Sequence, residues 1–306
     1  MSFKFARWKD NILILFLTAV IMVLCVNVAC ARVVTDETGR KLDITPAPQR
    51  IVSLAPGITE TLYALGLENK IAGVTTFCNW PAAALRNTRI GGFTNPSIEK
   101  IVSLKPDLII ATADGNRKDT VEKLERLRLP VYVTNPSDTK GVLKSILHIG
   151  EITNRKKEAS DMVAKFQKRL NHIANQVRHK RKPRVFFQIG LEPIITAGRG
   201  TLINEVIERA GGVNVAGLDI ANYPRYSAEG IIGAAPEIII FAPMVNDKEF
   251  AGVKRFWHKF RELPAVKNNK IYPMNADLIN RASPRIVDAI EKMALILHPD
   301  IKCSEP

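Results

Sequence analysis

The sequence predicts an α/β protein of two similar lobes, each with a mostly parallel sheet, joined by one long helix. Three observations predict it. Short apolar runs alternate with helix-period segments from residue 50 to residue 133, and the alternation restarts at residue 184. Between them, residues 154–180 contain no Gly or Pro and carry apolar residues at helical spacing. Finally, SIEKIVSLKPDLII at 97–110 returns as SAEGIIGAAPEIII at 227–240.

The elements follow in order. RIVSL at 50–54 reads as a strand, and TETLYALG at 59–66 as a short helix closed by Gly66. Residues 70–74 form a second strand, 98–104 a helix and 107–111 a buried strand. Residues 116–128 are amphipathic and 131–133 are again a strand. In 154–180, Met162, Phe166, Leu170 and Ile173 share one helix face. A helix of that length spans roughly 40 Å, enough to place its ends in different lobes. Beyond it, 184–189 is a strand, 202–210 a helix closed by Gly211-Gly212, 270–273 a strand and 284–297 the last helix. The expected divisions are a leader at 1–31, a first lobe at 32–153, the connecting helix at 154–180 and a second lobe at 181–306.

The leader is read from its grammar. Lys4, Arg7 and Lys9 precede a nearly uncharged run at 11–29, and Ala29-Cys30-Ala31 offers small residues for cleavage after Ala31. This is the pattern of a secretory signal peptide, and export to the periplasm is expected. An uncleaved anchor is an alternative, because the run is nearly long enough to span. Acylation at Cys30 is another, although Asn27 and Val28 make a poor approach to such a cysteine. The chain carries net +14; without 1–31, which hold Lys4, Arg7, Lys9 and Asp10, it carries +12. The densest basic run, RHKRKPR at 178–184, has no aromatic, so no nucleic-acid surface is expected. Cys78 and Cys303 could pair in an oxidising compartment. No CxxC occurs, which argues against a zinc or thioredoxin-like site.

In the repeat, Ser97 and Ser227 suit N-caps, Glu99 and Glu229 sit where a helix dipole favours an acid, and Pro106 and Pro236 end the helix before a strand. Taken singly, each glutamate is an ordinary first-turn acid. Their twinning suggests a shared task.

Several stretches together resemble one family. RIVSLAPGITE at 50–60, KPDLII at 105–110, VFFQIGLEPIITAG at 185–198, AGGVN at 210–214 and RASPRI at 281–286 are similar to the cobalamin- and siderophore-type solute-binding proteins of ABC importers. The likeness covers residues 48–300. It implies two Rossmann-like lobes joined by one helix, the class III periplasmic-binding-protein fold, with a ligand held in the cleft. It also implies a monomer that delivers a corrinoid to a permease dimer with its ATPase subunits. Glu99 and Glu229 match positions that dock onto that permease, so a pseudo-twofold protein would meet a twofold partner. The corrinoid is cargo; no cofactor, metal site or catalytic residue is expected.

A flat corrin ring with amide arms calls for broad aromatic faces and a few hydrogen-bonding groups. Trp80 in CNWP, Phe93 in GGFTNP and Tyr223 in ANYPRY match family positions that face the ring, with Tyr226 just after. Singly, each is as readily a loop anchor. Trp80 and Tyr223 replace a tyrosine and a tryptophan found in the family, which keeps the flat face and changes the polar handle. Asp277 and Arg281 match an acid and an arginine directed at ligand amides; a local ion pair is the plainer reading. Pro56, Gly57 and Asn116 are weaker candidates from loops after strands. Glu192 has no assigned place.

The rival cargo within the class is a ferric siderophore or haem. The five histidines fall mostly on expected helices, and no three show metal-ligand spacing with an acid. An enzyme is a further rival: Gly198-Arg199-Gly200 precedes a helix like a phosphate loop. The next glycine of a dinucleotide fingerprint is missing, and no GxSxG occurs.

Overall fold

The computed structural model describes residues 32–242 and 247–302. The expected leader, with Cys25 and Cys30, and Cys303 lie outside the described residues. A hairpin of β1 (Arg32–Thr35) and β2 (Lys41–Ile44) opens the chain. The first sheet is parallel, in the order β4 (Ile71–Val74), β3 (Ile51–Ser53), β5 (Leu108–Thr112) and β6 (Val131–Thr134). Its helices are α1 (Pro56–Ala64), α2 (Ile98–Ser103), α3 (Lys118–Arg126) and α4 (Thr139–Ile152). The strand order reverses around β3, so the loops after β3, β4 and β5 converge on one crevice.

The connecting helix α5 (Lys156–Val177) is continuous over 22 residues. It is shorter than 154–180 because Asn154 takes a left-handed φ of 58° and the helix starts after Arg155. Leu170, Ile173 and Val177 are buried along it, whereas Met162 and Phe166 are only partly so. Its first turns cross α4 so closely that a Cβ on Gly150 would meet that of Ala159 at 2.4 Å. Farther along, Arg169 bridges to Asp288 at 2.6 Å and to Glu291 at 2.5 Å on the last helix, α11 (Ile286–Leu297). One rod therefore packs against both lobes.

The second sheet runs β11 (Ile271–Pro273), β10 (Ile238–Phe241), β7 (Arg184–Leu191), then β8 (Ile194–Thr196), with β9 (Val213–Asn214) also on β7. Only β8 is antiparallel. The lobe adds α6 (Leu202–Arg209), α7 (Ala228–Ala234), α8 (Asp247–Trp257), α9 (Pro264–Lys267) and α10 (Ala276–Ile279).

Strand alternation assigns the core. Ile51, Leu108, Ile110, Val185, Phe187 and Ile240 point into one apolar cluster that continues through α5. Val52 and Ile109 face a second cluster on the outer side of the first sheet, and Phe186 and Ile239 a third on the outer side of the second. Both faces of each sheet are covered, as parallel strands require. No helix among the described residues is long and apolar enough to cross a membrane.

Candidate functional site

The lobes meet where α1 approaches the segment before α11. Gly57 is buried against it: a Cβ there would stand 2.3 Å from the Ala282 carbonyl oxygen. Pro56 is at the first position of α1, where its missing N–H costs nothing. Three residues on from Gly57, Glu60 is 4% exposed. Arg281 donates to Glu60 at 2.9 Å, and Arg285 donates to both its oxygens at 2.7 and 2.8 Å. Arg281 also pairs with Asp277 at 2.6 Å and donates to the Asn79 side chain and the Phe77 carbonyl. Asn79 in turn donates to Asp277 at 2.8 Å. Two carboxylates and two guanidiniums thus form one neutral cluster between the lobes. Here Asp277 and Arg281 do what a local ion pair would do, and more: they bind one lobe to the other.

Trp80 is half-exposed at the edge of this cluster, with the Arg285 guanidinium 4.7 Å above its ring. The loop bearing it is anchored from below. Cys78 is a buried thiol with no disulfide among the described residues, held at 3.1 Å by both the Thr59 and Thr75 hydroxyls, and Arg89 donates to the Thr75 and Cys78 carbonyls.

Two adjoining recesses lie between the lobes. One, about 120 Å³, is lined by Gly57, Phe93, Asp114 and Pro136 on one side and by Asn280 and Arg281 on the other. The next, about 190 Å³, sets Asp114, Asn135 and Ser137 against Asn222, Tyr223 and Asn280. Larger hollows of about 570 and 390 Å³ are each lined by a single lobe. Phe93 is seated on Gly115, whose φ is +107° and where a Cβ would overlap the ring at 2.1 Å. Asn116 stands behind it. Its amide donates to the Leu54 and Phe93 carbonyls and its oxygen accepts from Thr112 N–H, so it clasps the loops and does not line the recesses.

Tyr223, 58% exposed, is carried on a loop pinned along β8 by Gly198 N–H to Asn222 and Thr196 N–H to Pro224. A Cβ on Gly198 would meet the Ala221 carbonyl oxygen at 2.0 Å, so the glycine pair 198 and 200 serves this close approach. The surrounding walls, and then the Asp114 charge, hold the Tyr223 phenol above the usual tyrosine range. Tyr226 turns away, bonding Asp219 and packing on Phe186. Glu192 is exposed in the β7–β8 turn.

Glu99 and Glu229 lie apart from the cleft, in the first turns of α2 and α7. Ser97 and Ser227 cap those helices, accepting from Lys100 and Gly230 N–H. Each glutamate's own backbone N–H, and then the cap serine, hold its carboxyl below the ordinary range. Glu60, Asn79, Asp114, Asn280 and Arg285 were not singled out from sequence. Asp114 had a usable signal, since it follows β5 just as Pro56 follows β3.

A family of periplasmic binding proteins matches residues 51–278. The chain belongs to this family. A vitamin B12-binding protein of Vibrio cholerae is 31% identical over 250 residues, 81% of this chain and 89% of that protein. One from Yersinia pestis is 26% identical over 247 residues, 81% of this chain and 85% of that protein. The crystal structure of the periplasmic vitamin B12 binding protein of Vibrio cholerae matches with a TM-score of 0.73 at 32% identity, covering 82% of this chain and 96% of that one. A periplasmic heme binding protein from Pseudomonas aeruginosa shares the fold, with a TM-score of 0.76 at 22% identity, over 84% and 95% of the two chains. The fold is thus the class III arrangement of two α/β lobes on one helix.

Proposed function

We propose that this chain is the extracytoplasmic binding protein of an ABC importer and that its cargo is cobalamin or a related corrinoid. The observation that carries this reading is the interlobe groove itself. Half-exposed aromatic faces, Trp80 from one lobe and Tyr223 from the other, accompany two small recesses, the first lined by Phe93 and the second mainly by polar groups. Neither recess holds a macrocycle. A flat ring would lie across their mouths and send carboxamide arms into them, toward Asn135, Asn222, Asn280 and Asp114. The lobes would move little on binding, because α5 and the Glu60 cluster both join them. The 31% identity to a vitamin B12-binding protein supports the same cargo.

Residues 1–31 would direct export and be removed, and residues 32–153 and 181–306 would form the two lobes. Glu99 and Glu229 would each meet cations on one half of a dimeric permease, giving register and on-rate more than affinity. Calorimetric titration with cyanocobalamin, aquocyanocobinamide, haemin and ferrichrome tests the cargo. Binding of a corrinoid is expected; binding of only an iron chelate or only haemin overturns the reading.

A further inference from the structure

We propose that Asp114 sets the charge selectivity of the cleft, favouring a ring with a cationic metal core and neutral amide arms over one with carboxylate arms. This rests on the corrinoid reading above and deepens it.

Asp114 follows β5 and lines both recesses. Among the described residues it makes no hydrogen bond or ion pair, and its charge is felt at the Tyr223 phenol. Arg281 is the one cation among the residues lining the two recesses, and it is fully engaged: Glu60, Asp277, Asn79 and Phe77 all accept from or pair with it. The cluster to which it belongs sums to zero. Tyr223, with its pKa raised, stays a neutral donor. Asp114 is exposed, so the rim of the groove carries one uncompensated negative charge, although the whole chain is strongly positive. The groove walls include Phe93, Pro136, Ile279 and Ala282, and a ring laid over them would exclude water from beside that charge and lengthen its reach.

The chemistry of the ligands then separates them. A corrin ring contributes one negative charge to a trivalent cobalt, so the metal–ring unit is cationic, and its carboxamide arms donate N–H to a carboxylate. Haem presents propionate arms, and ferric siderophores are commonly anionic; both meet like charge in the recess. The plainer role for Asp114 is that of a turn residue before Gly115. The two roles part company in Asp114→Asn, since Asn serves the same turn and removes only the charge.

The protein and its Asp114→Asn variant are titrated with aquocyanocobinamide and with haemin, at low and high salt. The expected result is opposite shifts. Cobinamide weakens and haemin tightens, each by roughly threefold to fivefold at low salt, with the gap narrowing as salt rises. A misfolded variant would weaken both, so shifts in one direction overturn the proposal. So does affinity for both ligands within about twofold of the parent. If the parent itself binds haemin and not cobinamide, the corrinoid reading falls and this inference with it; the other two failures leave that reading standing.

Discussion

Residues 97–110 and 227–240 fold to the same shape in the two lobes, yet the walls they support differ. Each copy has a capping serine, a glutamate at the second helical position and a left-handed residue before proline: Lys105 and Ala235, both with φ 46°. An arginine at the start of the central strand covers each helix end. Arg50 donates to the Leu104 carbonyl, and Arg184 to that of Ala235. Toward the cleft the likeness ends. The first lobe offers Trp80 and Phe93 on loops clamped by buried groups. The second offers Tyr223 on a surface loop whose neighbours Leu218 and Ile220 are almost wholly exposed, at 88% and 90%. On the proposed function, the parts that would mate with a twofold permease are kept alike, and the parts that would hold an asymmetric ligand diverge.

The largest expected effect breaks the junction between the halves. Glu60→Ala leaves two guanidiniums facing each other without their shared carboxylate, and a loss of about 3–5 kcal/mol in urea unfolding is expected. Glu60→Gln is expected to lose less, since the amide still accepts. Gly57→Val comes next. It drives methyl groups into the Ala282 carbonyl, and about 1–3 kcal/mol of stability is expected to go, with corrinoid affinity falling as the lobes are pushed apart. An unchanged melting curve for either variant would show that the lobes are joined by α5 alone.

The third pair sharpens the contrast between the walls. Trp80→Ala and Tyr223→Ala are each expected to weaken corrinoid binding by roughly tenfold in titration, about 1.4 kcal/mol, with little change in unfolding. Arg285→Lys is expected to weaken binding less, because the ring keeps a cation but loses the planar stack. The smallest effects concern the surface twins. Glu99→Ala and Glu229→Ala are expected to leave cargo affinity intact and to slow association with the permease equally, as read by surface binding kinetics. Their carboxyls titrate below the ordinary range, so the negative charge persists above it and is lost only as pH falls through those depressed values. Ser97→Ala or Ser227→Ala should move that loss to higher pH.

Much of this was legible in the residues. The repeat, the restart of strand–helix alternation and the unbroken polar helix are local patterns, and local patterns survive in a one-dimensional string. Helix ends were less legible, because Asn154 stops α5 by a backbone angle and not by composition. The helix at Thr139–Ile152 was not anticipated. Its buried positions, such as Val142, Leu143, Ile146 and Ile149, make sense only against α5. For the site, the aromatics Phe93 and Tyr223 could be picked out as exposed-loop candidates. The partners of Arg281 could not, since Glu60 lies 221 positions away.

The sequence by itself determined two α/β halves, the rod between them and the twinned acids, because periodicity, caps and helix breakers act over a few residues. Tertiary structure alone decided which charges are cancelled and which remain. Arg281 and Arg285 meet Glu60 across the interlobe contact and Asp114 has no such partner among the described residues, since Coulomb energy depends on distances through space that the order of residues does not contain.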